Sequence, residues 1–189
     1  MSLWKVKREL HRAGDRLRRR LRRWVHRIRG PTDNPTLQPH ARLHVGCGEE
    51  RIPGYVGCDI RSVPGVSVVC AAWEVSRYAS DVAEIYSRHM LEHLALGEVE
   101  ATLGDWHDAL GEGGHVHLIV PFLDYHLRQW LDAEWNDETF GRKMSKARHG
   151  LAGIYGWQRE CDPSLRGYSP SYWDLHKSGY NRMALPLTW

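Results

Sequence analysis

Between residues 41 and 121 the chain sets out five short apolar runs. Turn chemistry and one helix-length amphipathic segment separate them. The runs are 42–45, which leads into Gly46-Cys47-Gly48; 55–60, which ends in Asp59-Ile60; 66–70, strongly β-branched; 84–88 (EIYSR); and 115–120 (HVHLIV), stopped by Pro121. Leu96, Val99, Leu103, Trp106 and Leu110 step by three and four and predict an amphipathic helix, with Gly113-Gly114 as its C-terminal stop. Strands that alternate with helical or loop crossovers predict an α/β domain: a doubly wound, mostly parallel sheet with helices on its faces. In such sheets ligands bind at the carboxyl ends of the strands, near the point where strand order reverses.

The chain is 189 residues long, enough for one domain and a short extension. At 42% hydrophobic and 26% charged it is too apolar to be disordered. It has no run of about 18 apolar residues, so no spanning helix is expected. Cys47, Cys58, Cys70 and Cys161 form no CxxC pair, which argues against a zinc ribbon or a disulfide scaffold and makes the cytoplasm the expected compartment.

The net charge of +3 conceals a division. Residues 1–30 hold twelve Lys and Arg against Glu9 and Asp15, whereas the rest holds fourteen bases against twenty-one acids. Leu3, Val6, Leu10, Ala13, Leu17, Leu21, Trp24 and Ile28 form one stripe of a predicted helix over 1–30, ended by Gly30-Pro31. Arg18, Arg19, Arg20, Arg22 and Arg23 break any signal-peptide core. Such a helix can pack on the domain or on a second copy, giving a homodimer. It can also lie in an anionic membrane surface with Trp4 and Trp24 inward, or bind nucleic acid. The apolar stripe argues against nucleic acid, since phosphate contacts do not call for Leu at every turn. The expectation is a peripheral position on the inner face of the membrane. Residues 31–40 carry three prolines and read as a linker, which leaves 41–189 as the domain.

Gly46 and Gly48 lack Cβ atoms, so the backbone after the first strand can turn sharply and approach a ligand. Asp59, at the end of the second strand, offers a carboxylate that can accept two hydrogen bonds from a ribose diol. Alone, GxG fits a structural turn equally well; with the carboxylate at the next strand end, a nucleoside-containing ligand is the better fit.

The run LHVGCGEERIPGYVGCDI resembles the first motif of class I S-adenosylmethionine-dependent methyltransferases, in particular a small bacterial group associated with glycan and cell-envelope synthesis. EIYSRHMLEHL resembles that group's fourth strand and following turn, and LGDWHDALGEGGHVHLIVPFLD its helix, glycine turn and fifth strand. The resemblance covers residues 42–124, with a weaker echo (IYGWQ, DLHKSGY) to about 180. It implies a Rossmann-like fold and S-adenosyl-L-methionine as cofactor. Gly46, Cys47 and Gly48 would lie beside the methionine part, Asp59 on the ribose hydroxyls and Ile60 beside the adenine. Ser87 and His89 would pass under the reacting methyl. In place of the family's acidic residue after strand three stands Ala71-Ala72-Trp73-Glu74, so either Glu74 substitutes or stacking and backbone alone hold the adenine. The family usually has seven strands; five or six are expected here, the last being absent, with 125–180 or a second subunit covering the edge.

The implied reaction is methyl transfer to a small-molecule acceptor, sugar-containing or lipid-linked. The alternatives are a non-catalytic or shortened relative and a nucleic-acid methyltransferase. A hydroxyl acceptor needs a base, and His93 and His89 are the candidates, because imidazole titrates near neutrality. Flat aromatic side chains in 125–180, with Gln158, Asp174, His176 and Lys177, are either a cover on the sheet or an acceptor pocket. His89, Glu92 and His93 also form HxxEH, the spacing of the inverted zinc-peptidase motif. The competing reading places Glu92 and His93 at a helix start, where a carboxylate is electrostatically favoured, and under it no metal is expected.

Overall fold

The computed structural model describes residues 35–133, 138–139, 142–158 and 173–181. The helix expected over 1–30 and residues 31–34 of the expected linker lie outside these residues. Five strands form one all-parallel sheet: β1 (Arg42–Val45), β2 (Val56–Asp59), β3 (Val68–Val69), β4 (Val82–Arg88) and β5 (Leu110–Ile119). Their order is β3-β2-β1-β4-β5. The chain therefore builds outward from β1 to β3, then crosses back to β4 on the other side, and the order reverses between β1 and β4.

Alternation along the strands gives the sheet two unlike faces. Leu43, Val45, Cys58, Val68 and Ile85 are buried on one face with Val75 and Trp106. Val75 belongs to a 3-10 helix (Ala72–Arg77) and Trp106 to helix α1 (Leu96–Ala109), so the crossovers from β3 to β4 and from β4 to β5 cover the same face. The Trp106 indole N–H donates to the Ala72 carbonyl at 2.9 Å and ties the two together. On the opposite face His44, Tyr86 and His117 meet edge to face across β1, β4 and β5.

Two expectations about α1 change. Leu96 is 75% exposed, and the buried face is Val99, Thr102, Trp106 and Ala109. The helix stops at Ala109, before the glycine pair, and β5 starts at once by pairing Leu110 with Val82. The glycines serve the strand: a Cβ on Gly111 would lie 2.1 Å from the Asp81 carboxylate, and one on Gly114 2.6 Å from the Val82 carbonyl. Only a bare backbone passes the start of β4 that closely.

After β5, helix α2 (Leu123–Leu131) packs on helix α3 (Lys146–Tyr155), which follows a short hairpin of β6 (Glu138–Thr139) and β7 (Arg142–Ser145). Gly150 and Gly153 face α2, where a Cβ would strike the backbone at Trp130 and the His126 ring. The 173–181 segment returns to the sheet. Leu123 N–H donates to the Tyr180 carbonyl, and Tyr180 is buried with Leu91 and Val99. This part of 125–180 is thus a cover, as one of the two readings expected. No helix among the described residues is long and apolar enough to cross a membrane.

Candidate functional site

The turn after β1 follows from its glycines. Gly46 (φ +74°) and Gly48 (φ +53°) adopt the left-handed backbone that side chains resist. Gly46 and Cys47 N–H both donate to the Cys58 carbonyl, which bends the turn toward the end of β2. There the Asp59 carboxylate accepts from Gly48 N–H (2.8 Å) and from Arg61 N–H (2.9 Å), with Arg61 Nε at 3.3 Å. The carboxylate is 7% exposed and fixed in direction.

Gly46, Asp59 and Ile60 share a cavity of about 200 Å³ with His89, Met90 and His93, which follow β4. It lies at the carboxyl ends of β1, β2 and β4, where the strand order reverses, and this is where open parallel sheets take ligands. Trp73 and Arg61 form part of the wall, and Trp173, Asp174 and Lys177 part of the other side. A larger cavity, about 470 Å³, opens on the opposite face beside His44, Tyr55 and Gly57. It contains neither the glycine turn nor the Asp59 carboxylate.

The structure thus brings Gly46, Asp59, Ile60, His89 and His93 to one cavity, while Cys47, Gly48 and Ser87 stand outside its wall. Cys47 is buried, its Sγ lies against the position of a Cβ on Gly57, and burial pushes its thiol up to about 11, so it is no thiolate nucleophile. Gly48 acts through its N–H on Asp59. Ser87 is fully buried, and its hydroxyl has no hydrogen-bond partner among the described residues. After β3, Cys70, Ala72 and Trp73 line the cavity, and Glu74 is not among its lining residues.

Met90 was not foreseen. A Cβ on Gly46 would lie 2.2 Å from Met90 Cγ, so the thioether side chain rests on the glycine. At about 200 Å³ the cavity is below the roughly 300 Å³ at which small-molecule sites begin. Its lining offers a fixed carboxylate, an indole and a bare glycine turn, and Met90, unbranched and readily rotated, occupies the space over that turn.

His89 holds φ +51°, a strained conformation for a residue with a side chain, of the kind that collects at functional sites. Its Nδ1 is 3.3 Å from Glu92 Oε1. Leu91–His93 forms a single 3-10 turn, and α1 starts only at Leu96, where Glu98 accepts from Ala95 N–H. The expected place of Glu92 at a helix N-terminus is therefore corrected: Glu98 holds it, and Glu92 is 1% exposed beneath the turn. His176 comes within ring contact of His93, with centroids 5.0 Å apart. Burial, reinforced by the neighbouring histidines, holds His176 below its ordinary value against the pull of Glu92. The 173–181 segment is clamped to the turn, as Lys177 and Ser178 N–H both donate to the Glu92 carbonyl.

Comparisons of the chain with protein-family models, with curated proteins and with solved structures find no match.

Proposed function

We propose that the chain is an S-adenosylmethionine-dependent methyltransferase with a Rossmann-like domain, acting on a sugar-containing or lipid-linked acceptor. One observation carries this reading: the Gly46 turn and the Asp59 carboxylate meet at a cavity where strand order reverses. When bound, the cofactor supplies a methyl already activated on a sulfonium. The protein's share is alignment and exclusion of water. Asp59, held by Gly48 and Arg61, takes the ribose diol, while Trp73 and Ile60 flank the adenine. Asp174 and Lys177 hydrogen-bond the acceptor, and Trp173 offers its indole face. His89, oriented by Glu92, takes the proton that a hydroxyl acceptor gives up, and His93 is the second candidate. The apolar stripe and basic flanks of 1–30 keep the enzyme at an anionic membrane surface, beside lipid-linked acceptors.

Met90 over Gly46 favours a second reading, a relative that does not bind the cofactor. Calorimetry with S-adenosylmethionine separates the two. Native protein binds, Asp59→Ala binds at least about 10-fold more weakly because a fixed carboxylate bonding the diol is gone, and Met90→Ala binds more tightly. Absence of heat from both native protein and Met90→Ala ends the enzyme reading.

A further inference from the structure

We infer that Glu92, His93 and His176 form a binding site for a divalent transition-metal cation. One ligand atom from each lies within 4.8 Å of the others. Bonds of about 2.1 Å would bring neighbouring ligand atoms to roughly 3.4 Å, a closure within reach of small side-chain rotations.

Three features separate this cluster from a chance meeting of polar residues. First, Glu92 is 1% exposed, and neither carboxylate oxygen accepts a hydrogen bond among the described residues. A buried carboxylate whose nearest basic group is the exposed His89, with Nδ1 3.3 Å from Oε1, is poorly compensated, and a cation is the direct remedy. Second, both imidazoles are held in the manner of metal ligands. His93 Nδ1 is 3.0 Å from the Leu175 carbonyl and His176 Nδ1 is 3.0 Å from the Gly153 carbonyl. A carbonyl only accepts, so Nδ1 carries a proton and Nε2 is the nitrogen left to ligate a cation. Third, the site is braced. Its two halves lie more than eighty residues apart in sequence, and Lys177 and Ser178 N–H on the Glu92 carbonyl and the Tyr180 hydroxyl on the Leu91 carbonyl join them.

Two histidines and one carboxylate suit Zn²⁺ and its first-row neighbours and leave at least one coordination position for water or a substrate oxygen. His93 also lines the cavity beside Asp59, so the cation would stand at the cavity wall. With the cation bound, His93 coordinates it, and proton acceptance rests with His89. The site differs from the HxxEH pattern: His176, distant in sequence, takes the place that the pattern gives to His89. It rests on the cluster's own geometry and not on the methyl-transfer reading.

The test uses the untagged full-length chain, stripped with a chelator and titrated with Zn²⁺ by calorimetry. One equivalent binds the native protein. Glu92→Gln and His176→Ala each weaken binding by at least about 100-fold, and His107→Ala, exposed on α1, leaves it unchanged. Failure of the native protein to bind, or binding within about 3-fold of native in both cluster variants, overturns the proposal. Melting temperatures guard against misfolding. In chelator, Glu92→Gln melts at or above native, because a poorly compensated buried charge has been removed; with Zn²⁺, native alone shifts upward. A Glu92→Gln protein that melts below native in chelator, beside a native protein indifferent to Zn²⁺, makes Glu92 structural and also overturns the site. Calorimetry with S-adenosylmethionine is a separate readout: its failure alongside a successful Zn²⁺ titration removes the proposed function and leaves the metal site standing.

Discussion

His89 shows what a single residue gives up in stability for its position. Its φ of +51° is a conformation that glycine adopts freely, so His89→Gly is predicted to stabilise the fold by about 1 kcal/mol in denaturant titrations while abolishing most transfer to a hydroxyl acceptor. Equal loss of both would mean that the ring is structural. At Gly46 the sign reverses. Both the positive φ and Met90 forbid a side chain, and Gly46→Ala is expected to cost about 1–3 kcal/mol. His44 gives a pH signature. Burial holds its imidazole below its ordinary value near 6.5, with Arg88 acting in the same direction and Glu50 and Asp59 opposing. The unfolded chain then binds more protons than the folded one, so the stability His44 contributes is present above about pH 6.5 and is lost as pH falls through its depressed folded value. Stability measured between pH 7 and 5 should fall less steeply in His44→Phe than in native protein. An unchanged slope would contradict burial of a neutral ring.

At the scale of elements, the pattern of residues and the physics of close approach divide the outcome. The five strands were legible because each is a short β-branched or alternating run closed by a turn residue, and 42–45 appears as read. The face of α1 was legible through Val99 and Trp106. Trp106→Ala is predicted to cost about 3–5 kcal/mol, since a fully buried indole and its bond to Ala72 are lost together. Loss below about 1 kcal/mol would place the helix elsewhere. The early start of β5 was not legible. Gly113-Gly114 has the local chemistry of a helix stop, and only the meeting of Gly111 with Asp81 and of Gly114 with Val82 shows that these glycines serve a strand crossing. The start of α1 at Leu96 was legible, but which carboxylate serves its N-terminus was not. Glu92 and Glu98 both suit a helix N-terminus by local rules, and burial of Leu91 and Glu92 decides between them. In the candidate site, Gly46, Asp59, Ile60, His89 and His93 could be read from strand ends. Met90 and the partnership of His176 with Glu92 could not, because one depends on a rotamer and the other on a contact across more than eighty residues.

Across the whole molecule, the sheet provides the floor, β1 and β4 the crevice, and the 173–181 segment the far wall. The same segment braces the Glu92 turn and contributes Trp173, Asp174 and Lys177 to the cavity, so ligand binding and the packing of this cover should be linked. The basic arm is argued at this scale too. Full-length protein should float with vesicles containing anionic lipid and lose them as salt rises, whereas a chain starting at residue 35 should not float. Salt-dependent binding of oligonucleotides without flotation would turn the arm toward nucleic acid.

Ultraviolet crosslinking of S-adenosylmethionine carrying a radiolabelled methyl group, with the label mapped by residue, tests the central claim most directly. The crevice account predicts label at Ile60, Arg61, Trp73, His89 or Met90, displaced by excess S-adenosylhomocysteine and lost in Asp59→Ala. Displaceable label at Tyr55 or Ser67, in the larger cavity on the opposite face, or no displaceable label anywhere, would contradict it.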